Sequence, residues 1–383
     1  MKRIAWVLTH PIQYYSPMYR EIASSEDIDL VVYYFSDFSI KGYKDENFGK
    51  VIKWDIPLLD GYKYDILKNY SFIKMHGKFM SYVNLDLFNK IREAKYDLVV
   101  IHGWNTFSHL LTAMTCIVTK TPYAIRGDSN AFDLNRALTF RQKIRNKLLS
   151  YLFSKASCLF YVGEQNRLFY KSFKVDDNKL IKMPFAIDND YFQSFSNFDI
   201  FEERKKLSIK ENEKVILFTG KLIDIKQVEL LIRSLEIITL EYVLVIIGSG
   251  KLEEKLQKLA EQLNVNVIFL GFVNQSEIPK YYWLADVYVM PSKIEPWGLA
   301  INEAMNCGCA IIASDKVGAS DDLVKENGFI FKNGDSDDLS RKLNDILVDD
   351  TELMIKKNRS FEIIKQYSYK NDLNAILEYF EIK

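Results

Sequence analysis

The stretch that most narrows the fold runs over residues 287–324. It opens on the short apolar run Val-Tyr-Val-Met, the pattern of a strand covered on both faces. A loop follows that holds Glu295, Pro296 and Gly298. Residues 299–306 have helical spacing and stop at Gly308, and 309–313 read as a second strand. Strand, loop, helix, strand in so short a span is the unit of a parallel sheet, because parallel neighbours need a crossover between them. Open sheets of this kind bind ligands beyond the carboxyl ends of their strands. A helix that starts there has first amides with no partner inside the helix. Leu299, Ala300 and Ile301 are therefore expected to hold a phosphate without a charged side chain. Glu295 in the loop and Glu303 about one turn inside the helix can flank the same crevice. On spacing alone, two such glutamates read as readily as solvated charges.

The unit recurs along the chain. Apolar runs suited to buried strands stand at 4–8, 30–35, 97–102, 122–125 and 159–162, then at 214–218, 242–247 and 267–270, with helical patterns between them. That alternation predicts an α/β protein of parallel sheets. A chain of 383 residues exceeds what one core usually carries, so two domains are expected, the second of them Rossmann-like from its repeated strand and helix units. They are placed at 1–190 and 204–364, with a linker over about 188–203 where strand and helix patterns lapse, and a helical tail over about 365–383.

Charge is balanced overall, 51 Lys+Arg against 51 Asp+Glu, but unevenly spread. Residues 1–195 hold 27 cations and 20 anions, a net of +7, which leaves 24 against 31, a net of −7. The basic half is suited to an anionic surface or substrate. Neutral overall charge without a matching motif argues against nucleic-acid binding. Cys116, Cys158, Cys307 and Cys309 lack zinc spacing and read as reduced thiols of a cytoplasmic protein. The amino terminus reads as a first strand and not a signal peptide, and no run has membrane-span length.

Residues 134–157 form a basic stretch. Arg136, Arg141, Lys143, Arg145 and Lys147 alternate with Leu134, Leu138, Leu148, Leu149, Leu152 and Phe153 at roughly helical spacing. Such a helix can make a peripheral contact with an anionic membrane face, or be an ordinary surface helix packed on the sheet. His102 and Arg126 end two of the strand runs, where a crevice would lie. His102 can equally be a structural histidine, and Arg126 can bind phosphate or pair with Asp128. No glycine-rich turn follows the first strand, which disfavours dinucleotide binding there.

Glu-Pro-Trp-Gly-Leu at 295–299, Asn-Glu-Ala-Met at 302–305, Cys-Gly at 307–308, Ala-Ser-Asp at 313–315 and Val-Gly-Ala at 317–319 together closely resemble the donor-site segment of the retaining glycosyltransferases of family 4, glycosyl transferases group 1. Thr219-Gly220-Lys221-Leu222, continuing to Lys226-Gln227, is similar to that family's Gly-Arg-Leu…Lys-Gly loop, with lysine for the arginine and Gln227 for the second glycine. The resemblance implies the GT-B fold, two Rossmann-like domains facing a central cleft, with the last helix crossing back onto the first domain.

It further implies a hexosyltransferase-type enzyme that retains anomeric configuration. The sugar would pass from a nucleotide-diphosphate donor to a glycan or lipid-linked acceptor, in cell-surface polysaccharide or glycolipid assembly at the inner membrane face. Lys226 and Lys221, with Gly220, Gly298, Leu299 and Ala300, would hold the diphosphate, as cations at a helix start can. Glu303 would take the ribose hydroxyls, and Phe272 and Val273 would seat the base. Glu295 would orient the sugar and stabilise positive charge at its anomeric carbon. His10, Gln13, His102 and Arg126 are the cleft candidates, although His10 can instead cap the first strand. No cofactor and no metal are expected, since no Asp-x-Asp motif stands where metal-dependent transferases use one. A nucleotide-sugar epimerase and a non-catalytic partner subunit on the same fold remain as alternatives.

Overall fold

The computed structural model describes residues 1–40, 42–45, 50–52, 55–73, 77–132 and 139–381, so Leu134, Arg136 and Leu138 of the basic stretch lie outside the described residues. Its strands, in chain order, begin with β1 (Lys2–Leu8), β2 (Ile28–Tyr34) and the short antiparallel pair β3 (Tyr43–Asp45) and β4 (Lys50–Ile52). Then come β5 (Lys63–Ile66), β6 (Leu98–His102), β7 (Tyr123–Gly127), β8 (Cys158–Tyr161) and β9 (Leu180–Lys182). The last six are β10 (Lys214–Thr219), β11 (Tyr242–Ile247), β12 (Val267–Gly271), β13 (Val287–Met290), β14 (Ala310–Ser314) and β15 (Gly328–Phe331). Contacts gather the chain into two units. The first holds Met1–Gly42, Pro57–Phe185 and Tyr369–Lys383, and the second holds Tyr43–Ile56 and Ala186–Ser368.

The first unit is a seven-stranded sheet in the order β5-β2-β1-β6-β7-β8-β9, parallel throughout. Residues 4–8 of β1 are buried along their whole length, as a strand with helices on both faces must be. On one face Ile4, Trp6 and Leu8 pack with Met18, Tyr19 and Ile22 of the Tyr15–Ser24 helix and with Ala375, Ile376 and Tyr379 of the Tyr369–Glu381 helix. On the other, Ala5, Val7 and Val99 pack with Leu149, Leu152 and Phe153. The last helix thus belongs to the first unit, although it is separated from the rest of that unit by the second.

The second unit is a six-stranded parallel sheet in the order β12-β11-β10-β13-β14-β15. Its strand order reverses between β10 and β13, so the loops leaving these two strands come together at the sheet's carboxyl end. The same reversal lies between β1 and β6 in the first unit. These switch points are where open sheets take their ligands.

The expected linker at 188–203 differs in the structure. The units divide between Phe185 and Ala186, and the span is largely helical: Asn189–Gln193, a 3-10 turn at Ser194–Asn197, and Ile200–Lys206. Side-chain caps nucleate both α-helices, with Asp188 accepting from the Tyr191 amide at 3.0 Å and Asp199 from the Glu202 amide at 3.0 Å. Phe192 is buried in the second unit and holds the first of them in place.

Candidate functional site

In the second unit, the loop after β13 carries Glu295 and is fixed by backbone bonds to residues 316–319. The Glu295 amide donates to Lys316 O at 3.0 Å, the Gly318 amide donates to Glu295 O at 2.9 Å, and the Ala319 amide donates to Trp297 O at 3.0 Å. A Cβ at Gly318 would stand 1.9 Å from Pro296 O, so this close approach requires glycine. The loop turns at Gly298 with φ 102°, where a Cβ would also meet the Met290 sulfur at 2.6 Å. Trp297 is buried and donates from Nε1 to Asn302 at 2.9 Å, pinning the loop to its own helix.

The Leu299–Asn306 helix starts directly after this turn. Leu299 and Ala300 contribute the first two amides, which by position have no intrahelical acceptor. The Ile301 amide, expected to join them, instead donates to Gly298 O at 2.9 Å. The turn at Gly298 brings that carbonyl back over the third amide.

The loop after β10 carries Gly220 and Lys221 and reaches Lys226 at the end of a 3-10 turn, Asp224–Lys226. Gln227 then takes the left-handed conformation, φ 49° and ψ 37°, the region glycine favours. Its side chain is tied down, accepting from Asn333 Nδ2 at 3.0 Å. This turn delivers Lys226 to the Glu295 loop, and the two side chains form a half-buried ion pair, Lys226 Nζ with Glu295 Oε2. The 69 positions between them in sequence are closed by the adjacency of β10 and β13.

Glu303 is buried one turn into the helix. Tyr282 donates its hydroxyl to Glu303 Oε2 at 2.6 Å, and Gln275 Nε2 stands 3.5 Å from Oε1. Burial, with Glu303 beside it, holds the Tyr282 phenol well above its ordinary pKa, so it stays protonated and donates. Behind it, Thr219 at the end of β10 bonds the hydroxyls of Tyr282 at 2.7 Å and Tyr288 at 3.3 Å. In sequence Tyr282 sits in an apolar helix pattern, where an aromatic reads as core and nothing nearby names Glu303 as its partner. Phe272 and Val273 follow β12 directly and are partly buried.

In the first unit, the ends of β1, β6 and β7 surround a pocket of about 370 Å³ lined by His10, Tyr15, His102, Trp104, His109 and Asp128 among others. His10 bonds Thr9 Oγ1 through Nδ1 at 2.9 Å and meets the Phe38 ring edge-on at 5.5 Å. Gln13 is buried and is not among the lining residues. His102 accepts from the Trp6 indole at Nδ1, 3.4 Å away, and Tyr15 lies against its ring at 4.5 Å. Burial, and then Arg126, push its pKa well below the usual histidine range. The ring is neutral, and with Nδ1 accepting, the proton sits on Nε2 as a donor.

Arg126 does not line this pocket and does not pair with Asp128. It is buried in the first unit, donating to Asp372 at 3.3 Å, to Pro184 O at 3.2 Å and to the Met18 sulfur at 3.0 Å. Its β7 neighbour positions point alternately to the two faces of the sheet, and position 126 faces the Tyr369–Glu381 helix. His109, unmarked in the sequence, is the further pocket residue. It is buried, bonds Thr106 at 2.9 Å through Nδ1, and has no partner for Nε2 among the described residues. Burial lowers its pKa to about 4.

Among the described residues no group of three or more His, Cys, Asp or Glu is placed to hold a metal ion, and no helix is long and apolar enough to cross a membrane.

Comparison with known proteins agrees with this fold. Residues 199–363 match the family described as glycosyl transferases group 1. The chain is 29% identical to an uncharacterized glycosyltransferase of Methanocaldococcus jannaschii over 309 residues, 75% of this chain and 76% of the relative. It is 25% identical to the UDP-Gal:alpha-D-GlcNAc-diphosphoundecaprenol alpha-1,3-galactosyltransferase of Escherichia coli over 330 residues, 80% of this chain and 81% of that one. The fold superposes on Anabaena HepE, crystallised with UDP, at a TM-score of 0.76 with 18% identity and all of both chains covered. It also matches WaaG, a glycosyltransferase involved in lipopolysaccharide biosynthesis, at 0.67 with 17% identity over 98% of this chain and 99% of that one. Residues 199–363 thus match the glycosyl transferases group 1 family, and the chain is a glycosyltransferase of the GT-B fold.

Proposed function

We propose that the chain is a retaining, metal-independent glycosyltransferase of family 4. It moves a hexose from a nucleoside-diphosphate donor to a hydroxyl of a glycan or lipid-linked acceptor. The observation that carries this reading is the Lys226–Glu295 ion pair beside the first amides of the Leu299–Asn306 helix, at the switch point of the second sheet. It joins a cation to a carboxylate on the loop that leads into that helix. Lys226, Lys221 and the amides of Leu299 and Ala300 neutralise the diphosphate as it leaves. Glu295 faces the sugar and stabilises positive charge at the anomeric carbon. Glu303, held by Tyr282, accepts the ribose hydroxyls. The bond from the anomeric carbon to the phosphate oxygen breaks while the acceptor oxygen bonds on the same face, and the acceptor proton passes to the departing phosphate. The polar pocket of the first unit, with its His102 N–H donor, is assigned to the acceptor.

Support comes from related proteins. HepE was crystallised with UDP and with UDP-glucose, and the E. coli relative's name gives a UDP-sugar donor and a lipid diphosphate acceptor. The test is a panel of nucleotide sugars, scored by melting temperature in the presence of a chelator. A donor at a hundred times its dissociation constant stabilises the fold by about 2.7 kcal/mol. The product's anomeric configuration is then read by NMR. An inverted product, or transfer that stops with the chelator and returns with a divalent ion, refutes the corresponding part of the proposal.

A further inference from the structure

The basic stretch folds as the Phe140–Lys155 helix, capped by Thr139 and Gln142 in a reciprocal pair. Its buried face is Leu149, Leu152 and Phe153, all packed in the first unit's core. Three of the leucines and phenylalanines expected on one amphipathic stripe are therefore used internally. A different set of apolar side chains is left outside. Phe140 is 77% exposed, Ile144 57%, Leu148 38% and Tyr151 44%. At about 100° per residue these four fall within an arc of about 80°, on the side of the helix away from the buried face.

Cations border that stripe on both sides. By the same rotation Lys143 and Lys147 lie along one edge, and Arg141 and Arg145 along the other. Lys155 sits within it, its Nζ 6.0 Å from the Tyr151 ring. Between Thr139 and Ser157 the sequence has five cations and no Asp or Glu. Single exposed apolar residues need no explanation, but a four-residue stripe with cationic edges and no anion does. A second copy of the chain is a poor cover, since packing two such stripes together would bring like charges face to face along both rims. A surface that is apolar inside and anionic at its edge fits both features.

We propose that the Phe140–Lys155 helix docks the protein on an anionic lipid bilayer. Phe140, Ile144, Leu148 and Tyr151 enter the boundary between headgroups and acyl chains, and Arg141, Lys143, Arg145 and Lys147 meet the lipid phosphates. The stems of the long cations cover the edges of the stripe while their charges stay at the headgroups. This docking does not depend on the sugar-transfer reading, and its test measures no activity.

The full chain is sedimented with vesicles of phosphatidylcholine alone and of phosphatidylcholine mixed with phosphatidylglycerol in about equal parts. Binding is expected to the mixed vesicles, at least about tenfold weaker to pure phosphatidylcholine, and weakened by salt. At about 1 kcal/mol per cation near the surface, Arg141→Gln with Arg145→Gln weakens binding about thirtyfold. Phe140→Ser with Ile144→Ser weakens it at least about tenfold. Both double variants keep the wild-type melting temperature, because the replaced side chains are exposed. No binding to the mixed vesicles overturns the proposal, as does equal binding to both kinds or binding that neither variant weakens. A concentration-dependent dimer dissolved by Phe140→Ser with Ile144→Ser would overturn it too, by assigning the stripe to a second copy.

Discussion

Arg126 and Asp372 meet at 3.3 Å in the interior of the first unit, across 246 positions of sequence. Each is about 1% exposed. Among the described residues neither Arg126 Nε nor Asp372 Oδ2 has a partner. Burial raises the Asp372 carboxyl to a pKa of about 7 against the opposing pull of Arg126. The pair joins β7 to the last helix.

Removing one member of a buried pair leaves the other uncompensated. Asp372→Ala is expected to destabilise the first unit by about 3–5 kcal/mol, while Arg126→Met with Asp372→Leu destabilises it far less. Urea titrations of the three proteins decide. If the double variant is as weak as the single, the pair is not what holds this interface.

The half-buried Lys226–Glu295 pair should matter little for stability, about 1 kcal/mol or less. Its expected weight is in the reaction. Lys226→Ala and Glu295→Gln should each lower kcat about 10²- to 10³-fold with an unchanged melting temperature. Steady-state kinetics on either variant at wild-type rate removes that residue from the site.

Tyr282→Phe deletes the hydroxyl that bonds Glu303 at 2.6 Å. A hydrogen bond to a charged group is worth about 1.5–3 kcal/mol, so the donor KM should rise tenfold or more. Donors lacking ribose hydroxyls should show a much smaller change, because Glu303 has nothing to hold in them. An equal rise for both donor types would show that Tyr282 supports the fold and not the ribose contact.

Gly318→Ala places a methyl group where Pro296 O now lies. The Glu295 loop must shift, and overpacking of this kind costs about 1–3 kcal/mol. Activity should fall further than the stability loss explains, measured as kcat at a temperature where the variant is fully folded.

His109 gives the first unit a pH dependence. Its folded pKa of about 4 lies below the ordinary 6.5, so the unfolded chain binds the proton more readily between these values. The associated stability is complete above pH 6.5 and lost as pH falls towards 4, on the order of 3 kcal/mol. Asp372, with its raised pKa, slopes the opposite way over part of this window. The check is therefore the difference between wild type and His109→Gln, which should shrink as the pH is lowered from 7 to 4.

The region around 287–324 was legible because each step there is local: an apolar strand, a glycine turn, a helix with its stop, another strand. The position of Gln227 in place of a glycine was legible too, but not its consequence. The structure meets the left-handed backbone with a side-chain anchor from Asn333, 106 positions away. Arg126 is visible in sequence as a strand-end residue, yet its partner lies on the last helix, and nothing near it in sequence names Asp372. The helices at Asn189–Gln193 and Ile200–Lys206 are five and seven residues long, too short for a period of 3.6 to repeat. The apolar residues of the Phe140–Lys155 helix were all visible, but two apolar faces on one helix merge in sequence, and only packing separates the buried one from the exposed one.

The return of the Tyr369–Glu381 helix to the first sheet sets an order of events during synthesis. Ala375, Ile376 and Tyr379 complete a core begun by Ile4, Trp6 and the Tyr15–Ser24 helix, so the amino-terminal half leaves the ribosome with that face of its sheet only partly covered. The second unit is nearly continuous in sequence and can close as soon as it emerges, as domains generally do. The half that is translated first is finished last.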